Sequence, residues 1–182
     1  EVLAEPLTNY FVGRAQKDFN DRNSFLGAIV TATNRNTDEP QFTFLHESAY
    51  SGGFDFKHNW KDRKYFVAGN IVASHITGSK ESITNTQKEI THLFQRADAN
   101  YVSVDSDRTS LTGTGGKIEA GKASDGHWRY NASLTWRSPE LELNDIGFLR
   151  QADEIRQTLF VSYQSLKPFG VFRSGMVRFE PF

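Results

Sequence analysis

The chain has 182 residues, a formal net charge of -1 and no cysteine. The absence of cysteine excludes disulfides, thiolate metal sites and cysteine nucleophiles, and a net charge near zero gives no electrostatic reason to expect nucleic acid as a partner. No apolar run approaches the roughly 20 residues of a membrane-spanning helix, whereas an aromatic content of 13% is compatible with an all-β chain.

The first part of the chain predicts a β-hairpin. Residues 8–19 favour a strand, NDRN at 20–23 is a turn by composition, and SFLGAIVTATNR at 24–35 is rich in β-branched residues. A helix over residues 24–35 is the alternative, which Gly27 disfavours. We therefore expect two strands joined by a tight turn.

A second hairpin follows a polar loop. Residues 41–60 predict a strand, in which Gly52 and Gly53 would permit a bend or a bulge. KDR has the length of a tight hairpin turn, and the strand KYFVAGNIVASHI comes next. Trp60 and Tyr65 are therefore expected to flank this hairpin.

The periodicity weakens between residues 77 and 108. KEITHLFQRAD, which begins at Lys88, fits a short helix, but we favour a strand over THLFQR at 91–96 that returns to the sheet. Residues 110–124 predict extended chain with a glycine-rich centre. GTGGK at 113–117 lacks the glycine spacing and the following helix of a phosphate-binding loop, so we interpret it as part of a strand.

The clearest strand runs from His127 to Arg137, where one face is wholly polar and the other wholly apolar. The apolar row is Trp128, Tyr130, Ala132, Leu134 and Trp136. The two tryptophans are about 26 Å apart at the usual strand rise, which is close to the height of the apolar belt of an outer-membrane barrel. We therefore predict that Trp128, Tyr130 and Trp136 are girdle residues at a membrane interface; a strand of a soluble sandwich is the alternative.

The last part of the chain predicts a polar loop and two more strands. Pro139 ends regular pairing, and Asn144 with Asp145 predicts a turn. QTLFVSYQSL at 157–166 and VFRSGMVRFEPF at 171–182 then predict strands separated by the turn KPFG.

These elements sum to roughly eight to ten consecutive strands, mostly with short connections. The predicted fold class is an all-β, antiparallel up-and-down meander, as part of an outer-membrane β-barrel. We expect residues 1–182 to be a single β domain, because no repeat or linker divides them. The lack of an initiator methionine and of a signal segment leads us to expect a fragment of a larger barrel.

Three segments carry a family resemblance: SFLGAIVTATNR at 24–35, HLFQRADANY at 92–101 and WRSPELELNDIGFLRQAD at 136–153. They resemble the DUF5916 family, a large C-terminal region of proteins from Bacteroidetes and related bacteria, and the similarity extends over nearly the whole chain. The resemblance implies an outer-membrane β-barrel that is often preceded by a carbohydrate-binding module of family 9 type. It implies no established catalytic motif, and sugar binding by the upstream module does not transfer to these residues.

Charged residues in these motifs predict a structural network. Arginine and aspartate pairs inside a barrel fill and rigidify its interior, or line a passage and set its selectivity. The candidates for this lumen or structural network are Arg35, Arg96, Asp98, Arg137, Asn144, Asp145, Arg150 and Asp153.

Catalytic and metal-binding patterns are weak. The histidines, which are His46, His58, His75, His92 and His127, show no compact ligand spacing, and we interpret them as surface or lumen residues. The carboxylates Glu140, Glu142, Asp145, Asp153 and Glu154 include candidates for an acid and base pair of glycoside hydrolysis, but such density is also typical of a solvated loop. We expect no catalytic residue, no metal and no cofactor.

The first functional hypothesis is a non-enzymatic segment of a barrel protein in the bacterial outer membrane. It would serve transport, secretion or assembly of surface components, including glycan-linked ones. The expected partner is the lipid bilayer of the outer membrane, with other envelope proteins or glycans as further candidates. The alternatives are a soluble carbohydrate-binding β domain and a glycoside-processing enzyme.

Overall fold

A computed structural model describes residues 4–181. Eight strands form a single sheet in chain order, and each strand pairs antiparallel with the next. The strands are β1 (Thr8–Phe19), β2 (Ser24–Arg35), β3 (His46–Trp60), β4 (Tyr65–Gly78), β5 (Ser110–Lys122), β6 (Trp128–Arg137), β7 (Glu154–Ser165) and β8 (Gly175–Phe179). The prediction of an all-β antiparallel meander is confirmed. Among the described residues, β1 and β8 pair only with their chain neighbours, so the sheet is open.

The predicted hairpins are confirmed at both tight turns. Residues 20–22 and residues 61–63 all have positive φ, between 50° and 61°, and this left-handed backbone reverses the chain within each turn. Trp60 pairs with Tyr65 across the second turn, and their rings stack with centroids 5.8 Å apart. The sheet is therefore built from local pairings.

The predicted strand over THLFQR is wrong. The helix of this region, α1 (Lys80–Lys88), lies before it, and residues 91–96 form turns. Leu93 has a φ of 50°, and the backbone N–H groups of His92 and Leu93 both donate to the Glu89 carbonyl oxygen. This tight turn ends α1, so the segment cannot extend as a strand. The helix alternative is wrong for most of KEITHLFQRAD as well, because only its first residue belongs to α1.

The strand predicted from residue 41 begins later than expected. A 3₁₀ helix at Pro40–Phe42 precedes β3, which starts at His46. Gly52 and Gly53 pair in regular register with β2 and β4, and the irregularity of β3 lies between His46 and Ser48 instead. The glycines therefore do not form a bulge.

The two faces of the sheet differ in chemistry from β1 to β7. Cross-strand partners lie on the same face, so the register defines complete rows. One row contains Gln16, Gly27, Asp55, Asn70, Lys117, Thr135 and Arg156. The adjacent row, on the opposite face, contains Ala15, Ala28, Phe54, Ile71, Gly116, Trp136 and Ile155. We call these two surfaces the polar face and the apolar face.

Connections at the two ends of the sheet differ in length. At one end, which we call the turn end, the strands are joined by residues 20–23, 61–64, 123–127 and 166–174. At the other end, the loop end, the connections are residues 36–45, 79–109 and 138–153. The two long loop-end segments, 79–109 and 138–153, together form what we call the cap.

The cap covers the polar face near the loop end, and the buried core lies between them. Ile83 of α1 packs with Ala49, Ile76 and Leu111 of the sheet. A second cluster consists of Leu141, Leu149 and Ala152 of the cap, against which Val72 packs. The remaining polar face and the whole apolar face have no second layer within the described residues.

A substitution at Gly113 tests the close contact between the cap and the sheet. A Cβ atom at Gly113 would lie 2.2 Å from the Leu141 backbone nitrogen, so Gly113→Ala should displace the cap and destabilise the protein by about 1–3 kcal/mol. Denaturant unfolding measures the change. Gly52→Ala is the matched control, because its nearest neighbour would be 3.7 Å away. Equal free energies of unfolding for the two variants would contradict the contact.

Candidate functional site

A buried ion pair joins the two segments of the cap. His92 Nε2 lies 2.7 Å from Glu142 Oε2, and the two side chains are 0% and 2% exposed. His92 Nδ1 donates to the Pro139 carbonyl oxygen at 2.7 Å. The backbone N–H of Asn144 donates to the second oxygen of Glu142, and the backbone N–H of Glu142 donates to Ser74 Oγ on β4. The pair therefore ties segment 79–109 to segment 138–153, and the latter to the sheet.

The surroundings of this pair shift both pKa values toward the charged forms. Burial by itself lowers the pKa of His92, but the hydrogen bonds to Glu142 and to the Pro139 carbonyl raise it above its ordinary value. Burial by itself raises the pKa of Glu142, but the hydrogen bonds from His92 and from the Asn144 N–H lower it. The two shifts favour the imidazolium form of His92 and the carboxylate form of Glu142.

A second network fixes the cap to β2 and β3. Asp145 accepts from Arg35 Nη1 at 2.5 Å and contacts His46 Nδ1 at 2.8 Å. Arg35 also donates to the His46 carbonyl oxygen at 3.2 Å. Burial raises the pKa of Asp145, but the hydrogen bond from His46 and the interaction with Arg35 lower it below its ordinary value. Asp145 is therefore held as a carboxylate.

His46 extends this network to α1. Its Nε2 lies 2.7 Å from the Thr86 hydroxyl, so carboxylate, imidazole and hydroxyl follow one another as in serine hydrolases. Thr86 is buried, however, and its hydroxyl donates to the Ser82 carbonyl oxygen at 3.1 Å. A nucleophile must reach a substrate, and this hydroxyl is enclosed in its own helix. The arrangement serves to position α1 over the sheet.

Arg96 and Asp153 form a third connection within the cap. Arg96 Nη2 contacts both Asp153 Oδ2 and the Tyr101 hydroxyl, and Tyr101 donates to Asp153 at 2.6 Å. Arg96 Nε lies 3.5 Å from Asp98, whose side chain is mostly exposed. The guanidinium of Arg96 is therefore fixed mainly by Asp153 and Tyr101.

The other predicted network residues lie apart from these pairs. Arg137 pairs with Glu154 at 2.5 Å rather than with Asp98, Asp145 or Asp153. Asn144 accepts the backbone N–H of Leu149 at 2.7 Å within the predicted turn. Arg150 is exposed, and no ion pair within residues 4–181 joins it. The predicted ladder is thus three separate clusters that exclude Arg150.

The three candidate girdle residues all lie on the apolar face of β6. The Trp128 ring packs edge-on against Tyr163 of β7, with centroids 5.1 Å apart. The Trp136 ring lies over Gly116 of β5, where a Cβ atom would approach it to 2.4 Å. Tyr130 is exposed between them. An aromatic ring over a strand glycine covers backbone that the glycine leaves bare.

Sequence reasoning missed the buried part of the cap. His92 and Glu142 are 50 residues apart in the chain, and His46 and Asp145 are 99 apart. No spacing rule brings such residues together, and the spacing of the histidines alone leads to their interpretation as surface or lumen residues. The only available signal was the preference of a buried histidine for a carboxylate partner, which does not identify the carboxylate.

Two features are absent from the part of the chain that the structure describes, a metal-ligand cluster and a membrane-spanning helix. No group of three or more histidine, aspartate or glutamate side chains there is arranged to hold a metal ion. No helix among residues 4–181 is long and apolar enough to cross a membrane.

The buried ion pair predicts a pH-dependent stability. The contribution of Glu142 is present above its ordinary pKa of 4.5 and is lost as the pH falls through its lowered value. The contribution of His92 is fully present below its ordinary pKa of 6.5 and is lost as the pH rises through its raised value. The free energy of unfolding, measured by denaturant titration, should therefore decrease as the pH rises above 6.5.

Removing the imidazole should remove this dependence. His92→Gln leaves Glu142 buried without its counter-charge, which costs about 3–5 kcal/mol near pH 6, and the loss of stability above pH 6.5 should flatten. His75→Gln is the control, because His75 is exposed and its side chain has a single hydrogen-bond partner among residues 4–181, Thr112. An unchanged pH profile in His92→Gln would show that another group titrates.

A comparison with protein families finds one match over almost the entire chain. The family model described as "Domain of unknown function (DUF5916)" matches residues 1–180. No curated protein and no solved structure matches the chain. The match includes the cap segments, the ion pairs described above and all eight strands of the sheet. This chain therefore belongs to the DUF5916 family.

Proposed function

We propose that this chain is a wall segment of a β-barrel in the bacterial outer membrane. Its apolar face contacts lipid, and its polar face lines the interior, where the cap lies. The barrel serves transport, secretion or assembly of surface components. The observation that carries the proposal is the reversed burial of the sheet, in which apolar side chains are the exposed ones.

The reversed burial of apolar and polar side chains is clearest on β6. Trp128 is 53% exposed and Leu134 is 38% exposed, whereas the alternating polar residues Asn131, Ser133 and Thr135 are half-buried. A strand of a soluble protein has the opposite pattern, with polar residues outward. Side chains that face lipid in an outer-membrane barrel are apolar, and those that face the lumen are polar.

Exposure of apolar side chains extends to other strands of the sheet. Val30, Phe54 and Ile71, on β2, β3 and β4, are 51%, 62% and 50% exposed, and all three belong to the apolar face. An exposed apolar surface of this extent on a soluble monomer would cause association. A bilayer provides a cover for the whole surface at once.

Aromatic residues lie at both ends of the apolar face. Five are close to the turn end: Phe19, Trp60, Tyr65, Trp128 and Tyr163. Tyr50 and Trp136 lie toward the loop end. Tryptophan and tyrosine prefer the membrane interface, where the ring is shielded and its polar atom meets water. Two such belts, with Val30, Ile71 and Leu134 among the residues between them, support the proposal.

The difference between the two ends of the sheet supports an orientation. Outer-membrane barrels have short turns on the periplasmic side and longer loops on the outside. The turn end would therefore face the periplasm, and the cap would face the cell exterior. Because the outer edges of β1 and β8 are unpaired among the described residues, closure would need pairing with further strands.

Arginine substitution on β6 tests the lipid contact. Ala132 lies on the apolar face midway between the two tryptophans, and Ala132→Arg should destabilise a membrane-inserted barrel by about 2–4 kcal/mol. Asn131→Arg, one residue away on the polar face, is the matched control and should have little effect. Stability in lipid vesicles and recovery in the outer-membrane fraction are the measurements.

The same pair of variants distinguishes a soluble domain. There, Ala132→Arg would place a charge on a surface already exposed to water, so it would be tolerated and would improve solubility. Equal tolerance of the two variants, together with a monodisperse protein in the absence of detergent, would refute the proposed location and favour the soluble carbohydrate-binding alternative.

Single cysteines along β6 test the two faces directly, because this chain contains no native cysteine. Spin labels at residues 130, 132 and 134 should be accessible to oxygen, which partitions into lipid. Labels at residues 131, 133 and 135 should be accessible to a water-soluble nickel chelate. The full-length protein in vesicles is the sample, and accessibility without a period of two along the strand would contradict the membrane contact.

A further inference from the structure

We propose that a cavity in the cap binds an acidic sugar unit through its carboxylate or phosphate group. The cavity has a volume of about 400 Å³ and lies between residues 90–96 and residues 150–152. Its polar lining residues are Thr91, Arg96, Arg150 and Gln151, together with His92, which is paired with Glu142. The inference concerns the cap alone and does not require the sheet to be in a membrane.

Hydrogen-bonding capacity in this cavity is unused by the protein. Among residues 4–181, the side chains of Thr91, Arg150 and Gln151 make no hydrogen bond or ion pair. Their neighbours in the chain are held in place, since the Ala152 N–H donates to the Thr91 carbonyl oxygen at 2.9 Å. A hydroxyl, an amide and a guanidinium with unused donors thus line one cavity, whose backbone is fixed by this hydrogen bond.

The two arginines have different roles. Arg96 is oriented by Asp153 and Tyr101, which compensate its charge, so it forms a fixed wall of the cavity. Arg150 has no carboxylate partner within the described residues and provides the uncompensated positive charge. A planar guanidinium binds carboxylate or phosphate through two parallel hydrogen bonds. An anionic group is therefore the ligand chemistry that this cavity favours.

Apolar side chains at the cavity indicate what is attached to the anion. Ile90 is 84% exposed and Leu93 is 38% exposed, and both line the cavity. The C–H face of a sugar ring could pack on them while its acidic group reaches Arg150. A free inorganic anion would leave this apolar surface in water. We therefore assign the site to a uronate or a sugar phosphate.

Titration calorimetry on the full-length protein tests the assignment, in detergent if detergent is needed for dispersion. The probes are glucuronate, glucose 1-phosphate, neutral glucose and inorganic phosphate. At least one acidic sugar should bind about tenfold more tightly than glucose, because glucose lacks the charged group, and its affinity should fall with added salt. The comparison of glucuronate with glucose 1-phosphate identifies the preferred anion. Binding of inorganic phosphate as tight as that of glucose 1-phosphate would overturn the role of Ile90 and Leu93.

Substitution of Arg150 locates the site. Arg150→Gln should weaken binding of the acidic sugar about tenfold, without loss of structure because Arg150 is exposed and unpaired. Arg173→Gln is the matched control, since Arg173 is exposed near the turn end, and its affinity should stay within about twofold. The thermal unfolding midpoint of each variant verifies that it is folded. No saturable heat with either acidic sugar, or unchanged affinity in Arg150→Gln, would overturn the inference.

Discussion

The sheet has two faces, and among the described residues the cap covers only part of one of these faces. The cap covers the loop end of the polar face, and both buried hydrophobic clusters among the described residues lie there. The side chains of the apolar face contact one another across the strands, but no second layer among the described residues covers them. The hydrophobic effect makes that exposure unfavourable in water, at about 25 cal/mol for each Å², which is the basis of the proposed contact with lipid.

The buried charged pairs specify how the cap docks on the sheet more than they stabilise it. Burying an imidazolium and a carboxylate costs desolvation that their attraction only partly returns, so such a pair contributes little net stability compared with an apolar replacement. The pair instead selects one arrangement of the cap on the sheet. Any shift of segment 138–153 along the sheet would separate Glu142 from His92, and Asp145 from His46 and Arg35, leaving buried charges without partners. Two independent pairs therefore define the position of the cap.

Local rules predicted the sheet because its pairings are local. Alternation located β6 to within a residue, and turn composition located the reversals at residues 20–23 and 61–64. THLFQR shows the limit of such rules. Its alternation of His92, Phe94 and Arg96 is typical of a strand, yet His92 and Phe94 lie in turns of the cap and are buried inside it. The partners that bury them are distant in sequence. The position of Arg150 at an open cavity depends on how the cap folds, which composition does not specify.

The connectivity of the sheet has a consequence for how the protein folds. Each strand pairs with the one made just before it, so loop-closure entropy is small at each step and the sheet can grow from one edge, strand by strand. The contact between Arg35 and Asp145 bridges 110 residues and cannot form until β2 to β6 are in place. We therefore expect cap docking to be the last and slowest step. Until it occurs, the nascent sheet would have two bare faces, a state in which edge-to-edge aggregation competes with completion.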